Sequence, residues 1–176
     1  MPILNQSTAW SAVPANVREA FKGEPEKVEL PAGMKIYKLS GYPTLVKDGG
    51  SATTEVSPWW SPFHAYKWDG GLENRRKTAA AMGGASLKEL SRIVVAVRED
   101  WSSLDYVATA NLKLAVYGFF GVVARQPKLT AGAASKKSGD ERGSTGGGNL
   151  LGSAGQLYIP SLTLGHLENV DVQKIA

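Results

Sequence analysis

The sequence contains no cysteine, which removes disulfides, thiolate zinc sites and cysteine nucleophiles together. Histidine is scarce as well: His64 and His166 are not in a metal-ligand spacing, each reads as a satisfied structural residue, and no metal site is expected. No apolar run approaches the roughly 20 residues that cross a bilayer. Residues Met1–Trp10 carry no basic stretch leading into an apolar one, so neither a membrane anchor nor Sec-type export is expected. The location to expect is the cytoplasm, or delivery by a specialised secretion system that leaves no such mark. Nucleophile elbows and a Ser-His-Asp order are missing, and Gly146-Gly147-Gly148 lacks the lysine and Ser/Thr of a phosphate-binding loop. The acidic pairs Glu99-Asp100 and Asp140-Glu141 are adjacent rather than facing, which makes them solvated charge.

What is present is ordinary globular material. A hydrophobic fraction of 43% and a charged fraction of 20% argue against disorder, and 176 residues suit one core, so a single domain over 1–176 is expected. The net charge of +4 is mild and partly local, in Arg75-Arg76-Lys77 and Lys136-Lys137, which read as solvated surface.

Spacing supplies the elements. Val13, Val17, Ala20 and Phe21 recur at helical intervals and predict an amphipathic helix over 11–22. Breakers at Pro25 and Pro31 to Gly33 precede an alternating strand over 34–39. Residues 42–71 combine prolines and glycines with Trp59, Trp60, Phe63, Tyr66 and Trp68, a loop that should be ordered because aromatic rings bury well. Helices are predicted over 72–82 and, after the Ser86/Glu89 capping pattern, over 86–101. Strands follow over 104–109, 113–125, 156–163 and 167–172, with residues 130–155 a flexible glycine-rich insertion. The fold class is α+β, with N-terminal and central helices and two packed, mostly antiparallel small sheets enclosing a cleft.

Three islands carry candidate chemistry: Gly33 to Lys38, the box Ser57-Pro58-Trp59-Trp60-Ser61-Pro62, and Gly155-Gln156-Leu157-Tyr158-Ile159-Pro160. Each joins a strand edge to a polar or aromatic side chain, which is how a ligand cleft is furnished. The pattern Gly-x-x-x-Tyr-basic, then a Ser box, then a late strand with a polar residue, resembles the ADP-ribosyltransferase superfamily. That resemblance implies an ADP-ribosyltransferase-like fold with NAD as substrate. It places Tyr37 and Lys38 on the nucleotide, Ser57 or Ser61 at the nicotinamide pocket, and Gln156 where the family has its catalytic glutamate. Lysine stands where arginine is usual, so phosphate would meet a point charge rather than a fork. Glutamine carries no charge to set beside an oxocarbenium ion. The tuberculosis necrotizing toxin family of NAD glycohydrolases is also similar, through a glycine-rich stretch followed by Gln and Tyr, here Gln156 and Tyr158. A neutral glutamine that orients ribose or water suits hydrolysis better than transfer.

The expected function is therefore a bacterial NAD-consuming toxin or effector domain that cleaves the nicotinamide–ribose bond, with Gln156, Tyr158 and Ser61 catalytic and Trp59 or Trp60 stacking on nicotinamide. The resemblance also implies an inhibitor (immunity) protein. Two other readings stand beside it. One is a non-catalytic module that binds protein or single-stranded nucleic acid through the aromatic loop 59–68 next to Arg75 and Arg76. The other is a phage or secretion structural protein.

Overall fold

The computed structural model describes residues 2–46, 50–81, 104–124, 126–127, 149–150 and 154–175. A 3-10 turn at Trp10–Ala12 and a one-turn helix α1 (Ala15–Arg18) stand where a single helix over 11–22 was expected. Val13 is the reason: it precedes Pro14 and is extended (φ −74, ψ 139), because the proline ring disfavours helical geometry in the residue before it. Strands β1 (Glu26–Leu30), β2 (Lys35–Ser40) and β3 (Trp59–Pro62) follow, then helix α2 (Gly71–Ala81). Strands β4 (Tyr106–Leu112), β5 (Val116–Val122), β6 (Gln126–Pro127), β7 (Asn149–Leu150), β8 (Gly155–Tyr158) and β9 (Leu167–Lys174) complete the order. The helix expected over 86–101 lies outside the described residues, as does most of 130–155.

The α+β class holds, but its arrangement differs from the two packed sheets expected. The main sheet has seven strands in the order β1-β5-β8-β3-β2-β4-β9, every neighbouring pair antiparallel, and β6 with β7 forms a separate two-stranded ribbon. Where a second packed sheet was expected, two irregular stretches cover the main one. Residues 52–56 and 162–165 run antiparallel and exchange backbone hydrogen bonds, Val56 N–H to Leu162 O at 3.0 Å, Leu164 N–H to Thr54 O at 3.0 Å and Gly165 N–H to Ala52 O at 2.9 Å. Pro58 and Pro160 close the two stretches, and a residue without an N–H cannot extend a ladder.

Alternation gives the sheet two different faces. Ile36, Trp60, Leu157 and Phe120 point to one, where with Val28, Leu30, Ala110, Leu112 and Val116 they form the largest cluster, packed under Val56 and Leu162 of the irregular cover. On the opposite face, Trp59, Tyr158 and Phe119 are cross-strand neighbours that pack with Trp10, Val13, Val17 and Phe21 from the N-terminal turns. Further along that face Tyr37 and Val107 pack with Leu72 of α2. The two apolar clusters leave a strip of sheet between them.

Candidate functional site

That strip is polar. Tyr37 of β2 lies directly opposite Ser61 of β3, and continuing the Trp59–Tyr158 and Trp60–Leu157 register brings Gln156 of β8 next in line. Three of the sequence candidates thus sit on adjacent strands and one face, all buried, with Tyr37 at 1%, Ser61 at 4% and Gln156 at 7% exposure.

Each is held by its surroundings. Gln156 Nε2 donates to the Trp60 carbonyl at 2.8 Å, which fixes the amide and leaves Oε1 as its acceptor. The Ser61 hydroxyl lies beside the Tyr37 hydroxyl, yet Tyr37 Oη forms no well-aligned hydrogen bond among the described residues. Burial pushes the Tyr37 phenol up to about 12, because the phenolate would lose its hydration.

Helix α2 roofs this end of the strip. Leu72, Arg75 and Ala79 recur at spacings of three and four and are buried, so Arg75 occupies the inward stripe of the helix. Its guanidinium carbon stands 5.6 Å from the centre of the Tyr37 ring, a cation–π distance. The expectation that Arg75 is solvated surface is corrected on this geometry, while Arg76 and Lys77 are exposed as expected.

Asp69, not singled out in the sequence, ties the region together. Its Oδ1 accepts from Gly71 N–H at 2.8 Å and its Oδ2 from Gly155 N–H at 2.9 Å, so one buried carboxylate joins the start of α2 to the start of β8. Arg75 Nη2 approaches Oδ2 at 3.7 Å. Gly71 has φ +81, and a Cβ there would lie 2.6 Å from the Phe63 carbonyl oxygen, so no larger residue fits this corner.

The remaining candidates separate. Lys38 follows Tyr37 in β2 and therefore points to the other face, where burial lowers its ammonium pKa to about 8. Trp60 is fully buried in the main cluster with its indole N–H donated to Ser57 O at 2.7 Å, so it is a core residue rather than a platform for nicotinamide. Ser57 shapes the turn into β3, its hydroxyl accepting from Trp59 N–H at 3.2 Å. Trp59 is half-buried and tilts against Tyr158 at 4.7 Å between ring centres, an apolar wall beside Gln156.

The aromatic loop is ordered through a Tyr66–Asp69 bridge, with Tyr66 and Trp68 both against Phe120 at 5.0 and 5.1 Å. Within the loop Trp60 is buried, Trp59 packs beside the N-terminal cluster and Trp68 is exposed, while Arg75 is buried and Arg76 exposed on α2. His166 Nδ1 accepts from Thr163 N–H at 3.1 Å and so caps the turn that starts β9.

Among the described residues no group of three or more His, Asp or Glu side chains is placed to hold a metal ion, and no helix is long and apolar enough to cross a membrane. No family model, curated protein or solved structure matches this chain.

Proposed function

We propose that this chain is an NAD-consuming domain with an ADP-ribosyltransferase-like site, which hydrolyses the bond between nicotinamide and ribose. One observation carries the reading. Three sequence islands that resemble the motifs of that superfamily come together on the adjacent strands β2, β3 and β8, with Tyr37, Ser61 and Gln156 on one face.

In this reading Gln156 is the positioning acceptor. Its amide nitrogen is anchored to Trp60 O, and Oε1 is the amide's acceptor for a ribose hydroxyl or the attacking water. The water oxygen bonds to the anomeric carbon as the carbon–nitrogen bond breaks. Nicotinamide leaves with the bonding electron pair and becomes neutral, and the water's proton passes to solvent. Trp59 and Tyr158 supply the apolar wall for the nicotinamide ring. A neutral Gln156 favours water over a protein acceptor, since no carboxylate is present at that position to activate an acceptor nucleophile. A bacterial cell producing such an activity would require a dedicated inhibitor, the partner this reading implies.

The test is incubation of the full chain with NAD while nicotinamide release is followed. Wild type should release nicotinamide, and Gln156→Ala should reduce the rate by about a hundredfold or more while circular dichroism stays unchanged. Absence of release by the wild type overturns the reading.

A further inference from the structure

Among the described residues the Tyr37 hydroxyl is a buried donor without a partner, and Arg75 lies near it with a single long ion pair. Among the described residues Asp69 is the carboxylate that pairs with Arg75, but its two oxygens accept from the Gly71 and Gly155 amides at 2.8 and 2.9 Å, and the guanidinium stays 3.7 Å away, beyond hydrogen-bonding distance. A guanidinium presents five N–H donors in a rigid fork, more than one carboxylate at 3.7 Å engages. Tyr37 Oη, 1% exposed, has no hydrogen-bond partner among the described residues. Ser61 adds a second hydroxyl, facing Tyr37 across the strand pair.

We propose that Tyr37, Ser61 and Arg75 form a buried seat for an oxyanion, a phosphate or carboxylate group of the ligand. A neutral acceptor would satisfy a hydroxyl but leave the guanidinium charge poorly met, whereas an oxyanion takes bidentate bonds from the fork and single bonds from both hydroxyls. Asp69 does not fill the seat, because its oxygens accept from the Gly71 and Gly155 amides and the guanidinium stays 3.7 Å from Oδ2. The raised Tyr37 pKa keeps that hydroxyl a donor at neutral pH. The seat gives the ligand's anionic part a partner on the same face as Gln156, a position that Lys38 on the opposite face does not hold. It deepens the NAD reading and rests on it for the ligand's identity, but the unpartnered Tyr37 hydroxyl stands without it.

The test is calorimetry of the full chain with pyrophosphate and, separately, with succinate. Wild type should bind at least one, and preference for pyrophosphate assigns the seat to a phosphoryl group, preference for succinate to a carboxylate. Tyr37→Phe should weaken binding by about tenfold while the melting temperature stays level or rises, since the variant removes a buried, unpartnered hydroxyl. That opposition of signs is not expected of a residue whose role is only structural. Arg75→Gln should abolish binding and Arg76→Gln, an exposed neighbour on the same helix, should leave it unchanged. If Arg75→Gln does not fold, Tyr37→Phe alone decides. Failure of both anions to bind wild type, or unchanged affinity in Tyr37→Phe, overturns the seat. Anion binding without nicotinamide release sustains the seat and removes the glycohydrolase reading; nicotinamide release without anion binding does the reverse.

Discussion

Tyr37 and Lys38 are neighbours in β2 that point to opposite faces, and their titrations act on stability with opposite signs. Lys38 has its pKa lowered from 10.5 to about 8. Between those values the unfolded chain holds a proton that the folded chain has released, so unfolding takes up a proton and stability rises with pH. Tyr37 has its pKa raised from 10.0 to about 12. There the folded chain keeps a proton that the unfolded chain loses, so stability falls as pH rises through that window. Urea unfolding across the alkaline range should show the climb and then the decline, with Lys38→Met flattening the first and Tyr37→Phe lessening the second. A Lys38→Met profile that still climbs as steeply would contradict the assignment. The residue scale is also where the sequence was least legible. Ser61 and Gln156 were readable as polar residues near strand edges, but Arg75 was hidden inside a basic run. The signal was there in its spacing, three after Leu72 and four before Ala79, which puts it on the inward stripe of α2. Asp69 carried less signal, because an Asp-Gly-Gly run reads as a turn and nothing local reveals that Gly155 N–H will be its second donor.

Among the elements, β2, α2, β4, β5 and β9 were readable within a few residues from alternation, helix-forming residues or Val/Tyr/Phe-rich runs, whereas the strand expected over 156–163 stops at Tyr158, ahead of Pro160. Strand β1 was not. It fits between Pro25 and Pro31, and five residues flanked by two breakers look like a connection, although Val28 and Leu30 already alternate with Lys27 and Glu29. Its partner β5 lies about ninety residues further on in the paired register, so no local pattern names it. Position within the sheet sets how each strand resists opening. Strand β3 is short but bonded on both sides, to β2 and β8, and Trp60 anchors it in the core, whereas β9 is an edge strand bonded to β4 alone and largely exposed. Amide exchange followed by NMR should therefore be slowest in β3 and β8, with the outward amides of β9 faster by about a hundredfold or more. Equal protection in β9 and β3 would argue against this sheet order.

At the scale of the whole molecule, the strand order interleaves early and late parts of the chain. Strands β1 and β2 are consecutive in sequence yet separated by β5, β8 and β3, and the Gln156–Trp60 hydrogen bond spans 96 residues. Pairings this remote must close large loops before they gain contacts, so refolding followed by tryptophan fluorescence should take on the order of milliseconds to seconds, not microseconds. The same interleaving explains why separate islands and not a site were legible along the chain: only the sheet order makes β2, β3 and β8 neighbours. The pairing of β5 with β8 has a different consequence. Val122 and Gly155 are cross-strand partners, and Val123 N–H donates to Ala154 O at 3.1 Å. The connection between these strands therefore leaves and re-enters the sheet at a single rung. The length of that connection is therefore uncoupled from the β5–β8 register that places Gln156, since lengthening a loop closed at its ends raises its closure entropy only slowly.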